Sequence, residues 1–372
     1  MPHASKRLTP KTMGRLRLAS QGLLRPAHGS VAEAVRWMTA LQAQDLQSAL
    51  WAVGQRVPGI ASSDVRRALD DGTIVRSWPL RGTLHLLAPE DLNWILGITR
   101  DRMLRSVAPR HRELGIAEDD VKACRRIAEK MMVEGSGATR DQLFEAFEEG
   151  GQVTKAQRGI HLLWSLCQHA WLVQGPIAGT AGRLAGQQLF VPFEAWIPKS
   201  RTMSRDEGIV ELLLRYIRSR GPVTERDFSW WSQIPVTEVR GALEAIKEKL
   251  DKLEFQGAVY WMSPETAALM DGRLPGQRTV LALPGFDEFL LGYTDRSLVL
   301  PPEHAQKVVP GGNGVFKRMI VAGGEVVGTW SLSGKGKNVQ VVPEPFDGAE
   351  LGTSVRRSFG LQAEKYLKFV DG

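Results

Sequence analysis

Residues 41–52 read LQAQDLQSALWA and place two glutamines, Gln42 and Gln44, on either side of Ala43. An amide side chain offers one carbonyl acceptor and one NH2 donor and does not titrate usefully, so the pair supplies neither a general acid nor a general base. Two amides can instead aim dipoles at a developing positive charge and hold a water molecule by hydrogen bonds. Residues two apart point to nearly opposite sides of a helix but share a face in an extended or loop segment. Convergence of Gln42 and Gln44 therefore requires a non-helical stretch. The flanking pattern provides one: Ser30 caps an amphipathic helix through Val31, Val35, Met38 and Leu41, and Asp45 caps a second helix, LQSALWAVGQ. Spacing alone leaves two readings open, amides that bond the loop backbone or amides that form a site.

Other chemistry has less support. The seven histidines are scattered, and Cys167 and His169 lie two apart with no second ligand pair, so no metal site is expected. G-x-S-x-G, H-E-x-x-H and Rossmann fingerprints do not occur, and the loop SGKGKN lacks the spacing of a nucleotide-hydrolysing phosphate loop. That loop, with Lys335 and Lys337, reads equally as a phosphate cradle or a solvated hairpin tip. No cofactor is expected.

Lysine and arginine number 48 against 41 acids, a net charge of +7 that suits a polyanion partner and equally a basic protein without one. Six basic residues and no acid fall within residues 1–32, as in a transit peptide, but LTPKTMGRLRLAS reads as a helix of the fold capped by Thr9 with Pro10 in its first turn. No secretory signal and no long apolar run occur, and two cysteines, Cys124 and Cys167, fit a reducing compartment; the expected location is cytoplasmic.

The helices and strands that must position the glutamines repeat one order. Residues 1–115, 116–200 and 201–272 each read as helices followed by a strand, a turn and a strand. The strand pairs are TIVRSWPLRGTLHLLAP, then WLVQGPI with QQLFVPF across a Gly-rich turn, then KLEFQGAVYWM turning at Gln256-Gly257. Thr139 with Gln142 and Ser204 with Glu207 are capping boxes. This is winged-helix order, in which a helix enters a DNA groove and the hairpin touches backbone; such modules also serve as protein-interaction domains. Residues 273–372 change to short strands with hairpin signals at Gly323-Gly324 and Gly334-Lys335-Gly336, then a helix within 350–370. The expected fold class is α+β: three tandem winged-helix modules plus a C-terminal β-barrel-like domain.

LQAQD, VRSWPLRGTLHLL, LPGFDEFLLGYTDR and VVGTW together resemble the AlkZ/YcaQ family of bacterial DNA glycosylases, and the resemblance runs from about Leu8 to about Val370. It implies a C-shaped molecule around duplex DNA and a glutamine-aliphatic-glutamine active-site signature, matched by Gln42 and Gln44; the related branch carries aspartate at the second position. It further implies excision of cationic alkylpurines, including bulky N7-alkylguanines and interstrand crosslinks, in DNA repair or self-resistance to alkylating antibiotics. Thr83 and His85 are carried over as active-site support, with a core hydrogen bond as the other reading of His85. Asp45 reads as a cap close enough to orient water. Arg81, at a turn, and the basic stretch holding Arg100, Arg102 and Arg105 read as phosphate contacts or, for the latter, a solvated helix face. Asp287 and Glu288 read as structural charges beside a strand. The expected partner is double-stranded DNA carrying alkylated purines, bound by a monomer, with no membrane association; a non-catalytic winged-helix regulator is the alternative.

Overall fold

The computed structural model describes residues 8–24, 28–132, 136–177, 187–312, 314–346 and 350–372, together with the backbone but not the side chain of Lys337. The Gly-rich turn expected between the second pair of strands, and Lys6, Arg7 and Arg25 of the basic N-terminal stretch, lie outside the described residues. Along the chain run α1 (Pro10–Ser20), α2 (Val31–Met38), β1 (Leu41–Gln42), α3 (Leu46–Arg56), α4 (Ser62–Asp70), β2 (Val75–Leu80), β3 (Thr83–Leu87), α5 (Pro89–Glu113), α6 (Glu118–Met131), α7 (Arg140–Glu149) and α8 (Arg158–Gln168). There follow β4 (Leu172–Ile177), β5 (Gln188–Pro192), α9 (Phe193–Trp196), α10 (Arg205–Arg220), α11 (Glu225–Ser232), α12 (Val236–Ile246), β6 (Asp251–Phe255), β7 (Ala258–Met262), α13 (Pro264–Ala268) and β8 (Val280–Leu283). The chain closes with α14 (Glu288–Leu291), α15 (Ala305–Val308), β9 (Met319–Ala322), β10 (Glu325–Ser333), β11 (Gln340–Pro345) and α16 (Thr353–Asp371).

Helix starts follow local chemistry. Thr9, Ser30 and Asp45 each accept a first-turn backbone N–H at α1, α2 and α3, and Thr139 and Gln142 bond reciprocally at α7. Each bond satisfies a donor that the first turn leaves without an intrahelical partner. Three hairpins turn on two residues of positive φ: Arg81 and Gly82 (53° and 68°), Gln256 and Gly257 (50° and 76°), and Gly323 and Gly324 (60° and 95°). That geometry matches the twist of the flanking strands and sets their register, with Leu80 opposite Thr83, Phe255 opposite Ala258 and Ala322 opposite Glu325. The register of β2 and β3 shifts between Ser77 and Leu80, where Pro79 has no N–H to donate.

The chain divides into two compact units, Met1–Val65 with Val210–Gly372, and Arg66–Ile209. Within the second unit the strands run β3-β2-β4-β5, and a core of Leu143, Phe147, Leu162, Leu163 and Leu166 lies among the helices. The first unit holds the β6–β7 hairpin and a separate antiparallel sheet ordered β11-β10-β9-β8. Its core gathers Met13, Leu18, Leu283, Phe289, Leu290, Met319 and Val321. Trp51 of α3 meets Tyr366 and Phe369 of α16 with ring centroids 5.3 and 5.0 Å apart, and Trp330 meets Tyr366 at 5.1 Å. Among the described residues this sheet is open, with β8 and β11 at its edges, rather than closed into a barrel. The mixed helix and sheet content agrees with the expected class.

Candidate active site

The glutamines follow α2, and α2 stops early. The apolar spacing predicts a helix through Leu41, yet it ends at Met38 because Thr39 takes φ 62° and ψ −53°. The Ala40 N–H donates to the Met38 carbonyl at 2.6 Å, closing a γ-turn of the rare positive-φ form. A β-branched residue in this conformation costs about 1–3 kcal/mol. Thr39 is fully buried and its hydroxyl has no hydrogen-bond partner among the described residues, so its own side chain does not offset the strain.

Support comes from elsewhere in the same unit. Arg220, at the end of α10, donates from Nη1 to the Met38 carbonyl at 3.0 Å and from Nη2 to the Ala40 carbonyl at 2.7 Å. Its Nε donates to Glu288 Oε2 at 2.9 Å, and the Trp231 indole N–H donates to the same oxygen at 3.1 Å. The other carboxylate oxygen, Oε1, accepts the backbone N–H of Gln42 at 3.2 Å. Arg220 and Glu288 are both 0% exposed, and the guanidinium lies 4.6 Å from the Trp231 ring centroid. A fully buried carboxylate is tolerable only with such pairing.

Asp287 has a matching partner. Arg56, at the end of α3, holds it bidentately at 3.0 and 3.2 Å and also donates to the Gln21 carbonyl and side chain. Asp287 Oδ1 accepts the Phe289 N–H, so the residue caps α14 as well. Burial pushes the Tyr293 phenol up to about 12 and raises Tyr216 as well, so both hydroxyls remain donors, to the Arg220 and Gly292 carbonyls at 2.7 and 2.6 Å. Residue 292 must be glycine: a Cβ there would lie 2.7 Å from the Glu288 carbonyl and 3.3 Å from Arg220 Cδ. Asp287 and Glu288 thus sit in buried ion pairs, Glu288 against the backbone of the glutamine segment and Asp287 at the start of α14, rather than as charges beside a strand.

Residues 41–42 are extended and α3 begins only at Leu46, the non-helical stretch that the glutamine spacing requires. The two amides share the segment but not an environment. Gln42 is 7% exposed and Ala43 fully buried, whereas Gln44 and Asp45 are exposed. Asp45 Oδ1 accepts the Ser48 N–H at 2.7 Å, as a cap does.

The remaining expected residues fall in several places. Arg81, Thr83 and His85 sit together on the β2–β3 hairpin of the second unit. His85 is fully buried, and its Nδ1 lies 2.8 Å from the Thr83 carbonyl. A carbonyl only accepts, so the proton sits on Nδ1, and Nε2 faces Arg81 Nη2 at 3.5 Å. Thr83 Oγ1 donates to the Leu80 carbonyl at 3.3 Å. Arg100, Arg102 and Arg105 lie on α5, Arg102 and Arg105 exposed and Arg100 3.9 Å from Asp101. Burial, and next the neighbouring His161, hold His111 of the same helix below its usual pKa. Lys335 is exposed at the hairpin tip, and the Lys337 side chain lies outside the described residues. Burial raises the Cys124 thiol to about 12 and Cys167 higher still, so both stay protonated. No group of metal-binding residues occurs among the described residues. Reading the sequence missed Arg220, Arg56, Trp231 and Thr39; a usable signal was the Asp-Glu pair inside the apolar run LPGFDEFLLGY, since buried acids demand buried cations.

The described elements make a mixed α and β protein. The family described as DNA glycosylase AlkZ-like matches residues 35–369, and the chain belongs to that family. The interstrand DNA cross-link repair glycosylase of Streptomyces sahachiroi is 24% identical over 334 residues, 86% of each chain. The solved structure of Streptomyces sahachiroi DNA glycosylase AlkZ is similar with TM-score 0.80 and 22% identity, covering 98% of this chain and 97% of that one, so the fold is shared. No helix among the described residues is long and apolar enough to cross a membrane.

Proposed function

We propose that the protein is a monofunctional DNA glycosylase that hydrolyses the N-glycosidic bond of cationic alkylpurines, bulky N7-alkylguanines and interstrand crosslinks above all. The reading rests on Gln42, an amide on a strained, non-helical segment whose backbone is tied to a fully buried carboxylate. Such preorganisation suits chemistry that needs dipoles rather than protons. Glycosidases usually protonate their leaving group with a carboxylic acid. An N7-alkylguanine already carries positive charge on its imidazole ring, so the C1′–N9 bond breaks with its electron pair neutralising that ring. The sugar left behind resembles an oxocarbenium ion, and water adds to C1′ and loses a proton. Gln42 and Gln44 present carbonyl oxygens to that cation and hold the water; Asp45 caps α3 and helps orient the water. Thr83 and His85 of the β2–β3 hairpin are proposed as active-site residues on the family resemblance, and Arg81, Arg100, Arg102, Arg105, Lys335 and Lys337 as phosphate contacts.

The same reading takes residues 1–115, 116–200 and 201–272 as three winged-helix modules and 273–372 as a β-rich end with a C-terminal helix, acting on duplex DNA. The hairpins β2–β3, β4–β5 and β6–β7, each preceded by helices, support it. It takes the protein as a cytoplasmic monomer, without metal or organic cofactor, acting in alkylation repair or in self-resistance. The cross-link repair activity in the name of the Streptomyces sahachiroi relative supports the crosslink substrate. The test is to incubate the protein with duplexes carrying one N7-methylguanine or one N7-linked crosslink, and to identify released base by mass spectrometry. Release of the alkylated purine is expected. Tight binding to one DNA sequence without released base would favour the regulator reading instead.

A further inference from the structure

We propose that Arg220 and Glu288 are positioning residues for Gln42, and that they act by holding the Met38–Thr39–Ala40 turn in a conformation the chain would not keep by itself. The inference rests on the glycosylase reading of Gln42. Three observations converge. The turn is strained and unsupported by its own side chain: Thr39 has φ 62°, is fully buried, and its hydroxyl has no partner among the described residues. A β-branched residue at positive φ is a conformational outlier. The Arg220–Glu288 pair contacts the backbone on both sides of that residue, at the Met38 and Ala40 carbonyls and at the Gln42 N–H. Finally, stability alone is a weak reason for the pair, because desolvating two charges consumes most of what their attraction returns.

The guanidinium explains why the residue is arginine. One planar fork spans two carbonyls two residues apart while its Nε meets a carboxylate, and a lysine ammonium, a point donor, cannot reproduce that geometry. Glu288 relays the position onward: Oε2 is fixed by Arg220 and Trp231, and Oε1 meets the residue that carries the amide. The clamp bonds the backbone of Gln42, and Gln44 lies two residues further on, next to the Asp45 cap of α3; loss of the clamp is expected to fall more heavily on Gln42.

The experiment is single-turnover release of N7-methylguanine from duplex DNA, with duplex affinity and thermal melting measured on the same proteins. Arg220→Lys should release base on the order of 100-fold more slowly, as a misplacement of about 1 Å does, with affinity within about threefold because no DNA contact is lost. In combination with Gln42→Ala, Arg220→Lys should add less than about threefold, and with Gln44→Ala it should keep most of its cost, since groups that act as one unit are non-additive. Arg220→Met with Glu288→Leu keeps a packed interior without the clamp and should show the same loss of rate in a folded protein. Wild-type hydrogen exchange provides a readout without variants: the Ala40 and Gln42 amides should exchange slowly. A folded variant that releases base at the wild-type rate, equal costs on both glutamine backgrounds, or rapid exchange at Ala40 and Gln42 each overturns the clamp. A wild type that releases no base overturns the glycosylase reading itself.

Discussion

Two loops of the first unit carry residues expected to act on DNA, and they are built in opposite ways. Residues 38–45 are gripped by buried charge: Arg220 and Glu288 hold the backbone, and Arg56 and Asp287 lock the neighbouring α14 start. The tip at 334–338, which carries Lys335, is exposed and shaped by glycine at positive φ, 86° at Gly334 and 58° at Gly336. A group that stabilises a transition state must already be aimed, because reorganisation during the reaction costs rate. A group that meets phosphate gains from reach and from the counterions it displaces rather than from angle. In the proposed function this is the difference between a fixed chemical site and an adaptable binding surface within one chain.

Breaking the buried side of this comparison should have the largest effect. Asp287→Ala leaves Arg56 buried and unpaired, and urea denaturation should show a loss of about 3–5 kcal/mol. The exposed loop should be far more tolerant. Gly334→Ala puts a Cβ 2.2 Å from the Asn338 carbonyl at a positive φ. It should cost about 1–2 kcal/mol in the same assay, with base release at saturating protein unchanged. The smallest effect belongs to the lysine: Lys335→Ala should lower the slope of log binding constant against log salt by about 1 and leave the chemical step alone. A chemical rate that fell with Lys335→Ala would erase the distinction between the two loops.

Much of the architecture was legible because its causes are local. Thr9, Ser30, Asp45 and Thr139 announce helix starts, and Arg81-Gly82, Gln256-Gly257 and Gly323-Gly324 announce hairpins, since caps and two-residue turns depend on residues a few positions apart. The type and spacing of Gln42 and Gln44 allowed a site without preferring it to loop filler, and the family resemblance singled the pair out. The clamp did not, because Arg220 lies 180 residues from Ala40 and only the fold brings them together. Thr39 was hidden for a related reason: periodicity carried α2 through Leu41, and a strained turn imposed by tertiary bonds leaves no mark in the pattern. His85 was readable as a residue but not as an environment; that it is fully buried against the Thr83 carbonyl follows from the hairpin.

The central claim is that two amides, without a general acid, carry out glycosidic hydrolysis of a pre-charged base. Its most direct measurement is abasic-site formation in duplex DNA carrying N7-methylguanine, by the wild type and by Gln42→Ala/Gln44→Ala. The double variant should form abasic sites on the order of 100-fold more slowly or worse, while binding the duplex within about threefold of the wild type, since neither amide is needed for phosphate contact. Wild-type rates from a folded double variant would contradict the account.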